Sequence, residues 1–275
     1  MSTFNKMVAL RKAADRNTNI IRNSVEGEKS LHILWLYPDI LHIHGGRGDM
    51  MGILHAAELM ELPVEIKRHD NLDDEIPFDW ADMIFMNSGE IKCAPEIIDV
   101  MSKQKEALDK FVEDGGFMCA VSSTGAVLAK ELHKENGTVI KGLGLLDMTW
   151  KERESVWGDD LCFSVGDINV MGCQIQVADV HLGEGQAHLG NIIYGRGNCE
   201  DGREGARTGN VIFTSCLGPM MVKNPRLAEM WLTDAAAAAG ITPGRKIQDE
   251  EIDVQNKSYE LITKFIDKKV KGQQG

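Results

Sequence analysis

The chain has 275 residues, 43% of them hydrophobic, and a formal net charge of -12. That length and apolar content suffice for one large buried core or two small ones. The acidic balance argues against a nucleic acid or an anionic membrane as the main partner, and no stretch reaches the about 18 apolar residues that a membrane-spanning helix needs.

Residues 1–30 are polar and mixed in charge, with one short helical pattern (Met7, Leu10, Ala13, Ala14), and read as an extension. The first residues, M-S-T-F-N-K-M-V-A-L-R-K, hold no apolar core of signal-peptide length, so the expected compartment is the cytoplasm. From residue 31 an α/β pattern sets in. H-I-L-W-L-Y reads as a buried strand, D-I-L-H-I-H-G-G-R-G-D as a loop, and 50–61 as a helix with apolar residues at helical spacing. Strands follow at 63–67 and 82–86, the second closed by N-S-G-E, and 94–113 reads as one long helix. Strands alternating with helices predict a mostly parallel sheet flanked by helices, with ligand chemistry at the strands' carboxyl ends. The loops H-G-G-R-G-D, N-S-G-E and V-S-S-T-G are therefore expected on one rim.

The segment 115–132, G-G-F-M-C-A-V-S-S-T-G-A-V-L-A-K-E-L, changes from an apolar run (117–121) to small residues (122–125) and then to a helix-forming run (126–132). Strand, sharp turn and helix together have the shape of a nucleophile elbow, with Ser122 at the corner. A side chain held there stands above the sheet beside backbone N–H groups, an arrangement suited to attack on a carbonyl. Beyond residue 132 the runs 138–141, 160–165, 169–178 and 190–194 are short and strand-like between Gly, Asp and Asn turns, which predicts a smaller antiparallel extension. A last strand at 210–215 leads into T-S-C-L-G-P and a helix over 225–239, with Pro225 as its start signal. The tail 249–271 places Ile252, Leu261, Ile262, Phe265 and Ile266 among charges and predicts an amphipathic helix. Six cysteines, at 93, 119, 162, 173, 199 and 216, include no C-x-x-C pair and read as free thiols.

The order L-Y-P-D-I-L, G-G-R-G-D, N-S-G-E, the elbow, G-L-G-L-L-D, Y-G-R-G-N-C-E-D-G-R-E-G-A-R and T-S-C-L-G-P-M-M-V-K-N-P-R-L-A-E carries a resemblance. Over residues 31–239 the chain resembles the CobB/CobQ-type class I glutamine amidotransferases, and within them it is most similar to the GatD-type subunit of lipid II isoglutaminyl synthase. The resemblance implies a flavodoxin-like class I amidotransferase domain over 31–240, with an extension at 1–30 and a helical tail at 241–275. It also implies a pocket for glutamine and a Mur-ligase-like partner enzyme. No cofactor and no metal is implied. In that family a Cys at the elbow attacks the glutamine carboxamide, a His in a T-Y-L-H-G-P segment is general base and proton donor, and a Gly-rich loop supplies oxyanion N–H groups.

Motif for motif, the nucleophile position here is Ser122, followed by Ser123 and Thr124 where the family has glycines, and the His position is Leu217. Asn87, Ser88 and Gly89 stand for the oxyanion loop, while Arg47, Asn198, Asp201 and Glu204 keep the family pattern. A serine without a base is almost inert, and leucine takes no proton. Losing one member of such a constellation costs about 10⁴–10⁶ in rate, and a second loss adds little. The expectation is a non-hydrolysing subunit that binds a partner enzyme or a small ligand in the former glutamine pocket, through Arg47, Asn87, Ser88, Gly89, Ser123, Arg196 and Asn198. The alternative is an active amidotransferase or hydrolase subunit, for cell-wall or cobalamin-type amidation, with an altered nucleophile. Cys216 beside Leu217, or an imidazole from His181 or His188, would then supply the chemistry, and His42, His44, Asp49 and Glu90 are a further rim group. Cys119, three residues before the corner, reads as a core thiol.

Overall fold

In the computed structural model, which describes residues 20–273, the apolar runs stack into a seven-stranded sheet. Its strands are β1 (Ile20–Arg22), β2 (Leu31–Leu36), β3 (Val64–His69), β4 (Met83–Met86), β5 (Phe117–Val121), β12 (Ala206–Thr208) and β13 (Val211–Thr214), in the order β1-β3-β2-β4-β5-β13-β12. The five inner strands are parallel, and β1 and β12 are antiparallel edges. Parallel strands are covered on both faces, which is why β4, β5 and β13 are buried at every residue. Residues 1–19, with the expected pattern Met7 to Ala14, lie outside the described residues.

Side chains alternate across the sheet, so each strand feeds two cores. Ile33 and Trp35 pack under α1 (Gly46–Leu59) and α6 (Pro225–Ala238) with Ile53, Ala57 and Trp231. Leu34, Leu36 and Ile84 pack under α2 (Ala94–Ser102) and α3 (Lys105–Glu113) with Ile97, Met101 and Phe111. The single helix expected over 94–113 is thus two. Gln104 departs from helical geometry between them (φ -116°, ψ 27°), and its side chain accepts the Ile76 N–H at 2.9 Å. Helix α1 begins four residues ahead of the expected 50, inside the glycine loop. At Gly52 it crosses α5 (Met220–Lys223) so closely that a Cβ would lie 2.7 Å from the Met221 carbonyl carbon.

The second sheet is larger than expected. It holds β6 (Glu131–His133), β7 (Val139–Lys141), β8 (Met148–Val165), β9 (Ile168–Leu182), β10 (Gly190–Tyr194) and β11 (Arg203–Glu204). The run expected at 160–165 is only the end of β8, whose first half is hydrophilic because one side faces water; its pairing with β9 shifts register between Glu152 and Trp157. The helix expected over 126–132 stops as α4 (Gly125–Leu128), Ala129 turns to extended geometry (ψ 164°), and residues 131–133 pair with β7 and β8 instead. The tail forms α7 (Asp253–Gln273), which lays Tyr259, Ile262 and Ile266 on Cys162, Met171 and Tyr194 of the second sheet. Among the described residues no helix is long and apolar enough to cross a membrane.

Candidate functional site

Strand β5 ends at Val121, and Ser122 turns the chain at φ 54°, the left-handed region that non-glycine residues seldom occupy. A turn of 3-10 helix over Ser122–Thr124 then feeds α4. The corner is held from three sides. The Thr124 hydroxyl donates to the Val121 carbonyl at 2.9 Å, and Ser123 Oγ accepts the Gly89 N–H at 3.1 Å and donates to the Gly89 carbonyl. Gly125 lies between Phe213 of β13 and Trp150 of β8, where a Cβ would come within 2.3 Å of the Phe213 ring and 2.8 Å of the Trp150 ring, so only glycine fits where the two sheets meet the elbow.

The three loops expected on one rim do meet there. Ile43 N–H donates to the Ser88 carbonyl at 3.0 Å, Gly46 packs on the Asn87 side chain, and Gly89 bonds Ser123. Asn87 is fully engaged in a buried relay: Trp35 Nε1–H donates to its Oδ1 at 2.7 Å, and its Nδ2 donates to Asp49 Oδ2 at 3.0 Å. The Met221 N–H reaches Asp49 Oδ1 at 2.9 Å. Burial pushes the Asp49 carboxyl up to about 6, although the bonds from Met221 and Asn87 oppose the shift. Arg47 is exposed on the first turn of α1.

Leu217 is buried and joins β9 as an isolated bridge, giving its N–H to the Cys173 carbonyl at 2.8 Å and accepting the Cys173 N–H at 3.1 Å. Cys216 is fully buried, and burial drives its thiol well above the ordinary range, so it is held as the unreactive protonated form. Cys119 is likewise a buried core thiol. His181, His42 and His44 are exposed, and the half-buried His188 shares a hydrogen bond with Asn191 at 3.1 Å. Glu90 pairs with Lys92 on the surface while Asp49 is buried, so the rim group of His42, His44, Asp49 and Glu90 does not assemble. Among the described residues no three His, Cys, Asp or Glu side chains are placed to hold a metal ion.

Arg196, Asn198 and Asp201 all serve the loop between β10 and β11. Asn198, fully buried, clamps Gly205 by accepting its N–H at 2.8 Å and donating to its carbonyl at 2.9 Å. Arg196 pairs with Asp179 at 2.9 Å and with Glu200. Asp201 caps the same loop by accepting the Arg203 N–H at 3.1 Å. Glu204 is fully buried and takes bonds from Thr214 Oγ1 (2.8 Å), Ser215 N–H (2.7 Å) and Ser215 Oγ (2.6 Å). Burial still raises its carboxyl above the usual value.

A chamber of about 10 Å³ touches Ser122 from the sheet side, walled by Trp150, Gln176, Phe213 and Ser215. Of these, sequence reasoning singled out only Ser122. The signal was present in the alternation Gln174, Ile175, Gln176 on β9, which puts two amides on one face of a strand that passes beside the elbow.

The sheet order, the left-handed corner and the Gly89 loop beside it define a glutamine amidotransferase fold. A solved glutamine amidotransferase has that fold, with a TM-score of 0.50 and 18% identity over 74% of this chain and 98% of its own. No protein-family model matches the chain. Among curated proteins, the GatD subunit of lipid II isoglutaminyl synthase (glutamine-hydrolyzing) from Staphylococcus aureus is 26% identical over 232 residues, covering 82% of this chain and 94% of its own length. Its namesake from Streptococcus pneumoniae is 24% identical over 212 residues, covering 74% and 80%. The chain is thus similar to GatD subunits over 74–82% of its length and shares the glutamine amidotransferase fold.

Proposed function

We propose that this GatD-like chain does not hydrolyse glutamine and serves as a binding or regulatory subunit of a Mur-ligase-like enzyme of cell-wall amidation. The observation that carries the reading is the environment of Ser122: the former base position is a leucine packed in the core and tied to β9, His42, His44 and His181 are exposed, and His188 is engaged with Asn191. The Gly89 amide that could face an oxyanion already bonds Ser123. The chamber against Ser122 is about 10 Å³, far below the roughly 300 Å³ at which ligand pockets begin. The subunit role rests on the relatives' names, which describe each as one subunit of a synthase.

A second reading keeps Ser122 as an altered nucleophile, and one observation favours it: its left-handed backbone is a strain that functional corners retain. An electrophilic glutamine analogue distinguishes the two. No covalent adduct by mass spectrometry supports the non-hydrolysing subunit, whereas stoichiometric label on Ser122 establishes the second reading. Co-purification of the chain with a co-expressed Mur-ligase-like protein tests the subunit role separately.

A further inference from the structure

The chamber behind Ser122 has walls with unmatched polarity. Trp150 and Gln176 are 3% and 5% exposed. The indole Nε1–H of Trp150 and the carbonyl Oε1 of Gln176 are both buried without a hydrogen-bond partner, and both residues line the chamber. Neither group can be satisfied by a simple turn of its side chain. Gln176 Nε2 donates to the Gly197 carbonyl at 2.7 Å and to the Asn198 carbonyl at 3.2 Å, which fixes the amide with its oxygen as the remaining acceptor. The Trp150 ring is set edge-on to Phe213 at 5.4 Å between centroids and lies against Gly125, which locks the direction of its N–H. Ser215 Oγ donates to Glu204 and accepts from Gln174 Nε2 at 3.0 Å, so it has one lone pair left to offer and no proton.

An occupant must therefore accept from Trp150 and donate to Gln176. It must be neutral, because nothing in the lining would balance a charge. A volume of about 10 Å³ is at the lower limit for one water molecule and excludes anything larger. A carboxylate or chloride would meet Gln176 Oε1 with no proton to give, and an ammonium ion would have no lone pair for Trp150.

We infer that this chamber is a specific site for a single water molecule, bridging Trp150 Nε1–H and Gln176 Oε1 beneath Ser122 and joining β8 and β9 to the elbow. The water gives the Ser122 hydroxyl a buried neighbour that is not a base. The site is independent of whether Ser122 reacts.

The test uses the full chain with isotope-labelled tryptophan, the Trp150 indole resonance being assigned by its loss in Trp150→Phe. Cross-relaxation between the indole proton and water, with the sign of a long-lived buried water, is expected at Trp150. Trp35, whose N–H is bonded to Asn87, is the internal control and should show none. Absence of that signal at Trp150, or the sign of a rapidly exchanging surface water, overturns the inference. A high-resolution crystal structure provides the second measurement. One ordered water within hydrogen-bond distance of both atoms is expected, and a dry chamber or a larger occupant contradicts the site.

Discussion

Ser123 Oγ accepts the N–H of Gly89 at 3.1 Å and donates to the same residue's carbonyl, so one hydroxyl ties the elbow to the loop at the end of β4. Because both residues are buried, Ser123→Ala leaves a backbone N–H and C=O unpaired, a loss of about 1–3 kcal/mol in unfolding free energy. Equilibrium urea unfolding measures it, and a variant as stable as the parent would show that the loop finds other partners.

The left-handed backbone of Ser122 predicts an asymmetric pair of variants. A side chain in this region costs about 1–2 kcal/mol, while glycine's greater freedom in the unfolded chain returns part of that. Ser122→Gly is expected to stabilise the protein by about 0.5–1 kcal/mol. Ser122→Val, β-branched at the same corner, is expected to destabilise it by about 2 kcal/mol or more. The same denaturation series reads both, and equal effects would contradict the strain.

How much of this was visible beforehand differs from element to element. The strand at 117–121 and its corner were legible because an apolar run ended in four small residues, and all three rim loops carried their own turn residues. The stop of α4 was not legible. Residues 126–132 contain neither proline nor glycine, and what ends the helix is strand pairing of 131–133 with residues 149–151 and 139–141. The Ser123–Gly89 tie, between residues 34 apart, and the sharing of one chamber by Trp150 and Gln176 exist only in three dimensions. Asn198, a candidate binding amide in the sequence, uses both its polar ends on Gly205, a contact that no local pattern announces.

Asp49 predicts an unusual pH dependence. Its carboxyl titrates at about 6 in the folded protein and near 3.8 when unfolded, so between those values the folded state holds the extra proton. Its contribution to stability is therefore greatest below pH 3.8 and is lost as the pH rises through 6, by about 3 kcal/mol in all. Comparing unfolding free energies of the parent and Asp49→Asn between pH 4 and 7 isolates the effect. The parent should lose stability relative to the variant as pH rises, beyond a constant offset from the Asn87 contact. A flat difference would exclude it.

Burial sorts the cysteines. Cys119, Cys162 and Cys216 are buried, whereas Cys93, Cys173 and Cys199 are partly exposed. Alkylation of the native protein followed by peptide mass spectrometry should leave the first three unlabelled until denaturant is added. Rapid native labelling of Cys216 would reopen it as a nucleophile.

Whether the elbow still cuts decides between the two readings of Ser122. Ammonia release from glutamine by the full chain, alone and co-expressed with a Mur-ligase-like partner, tests this most directly. The predicted result is release no greater than that of Ser122→Ala in either preparation. Clear release that disappears in Ser122→Ala would contradict the central claim.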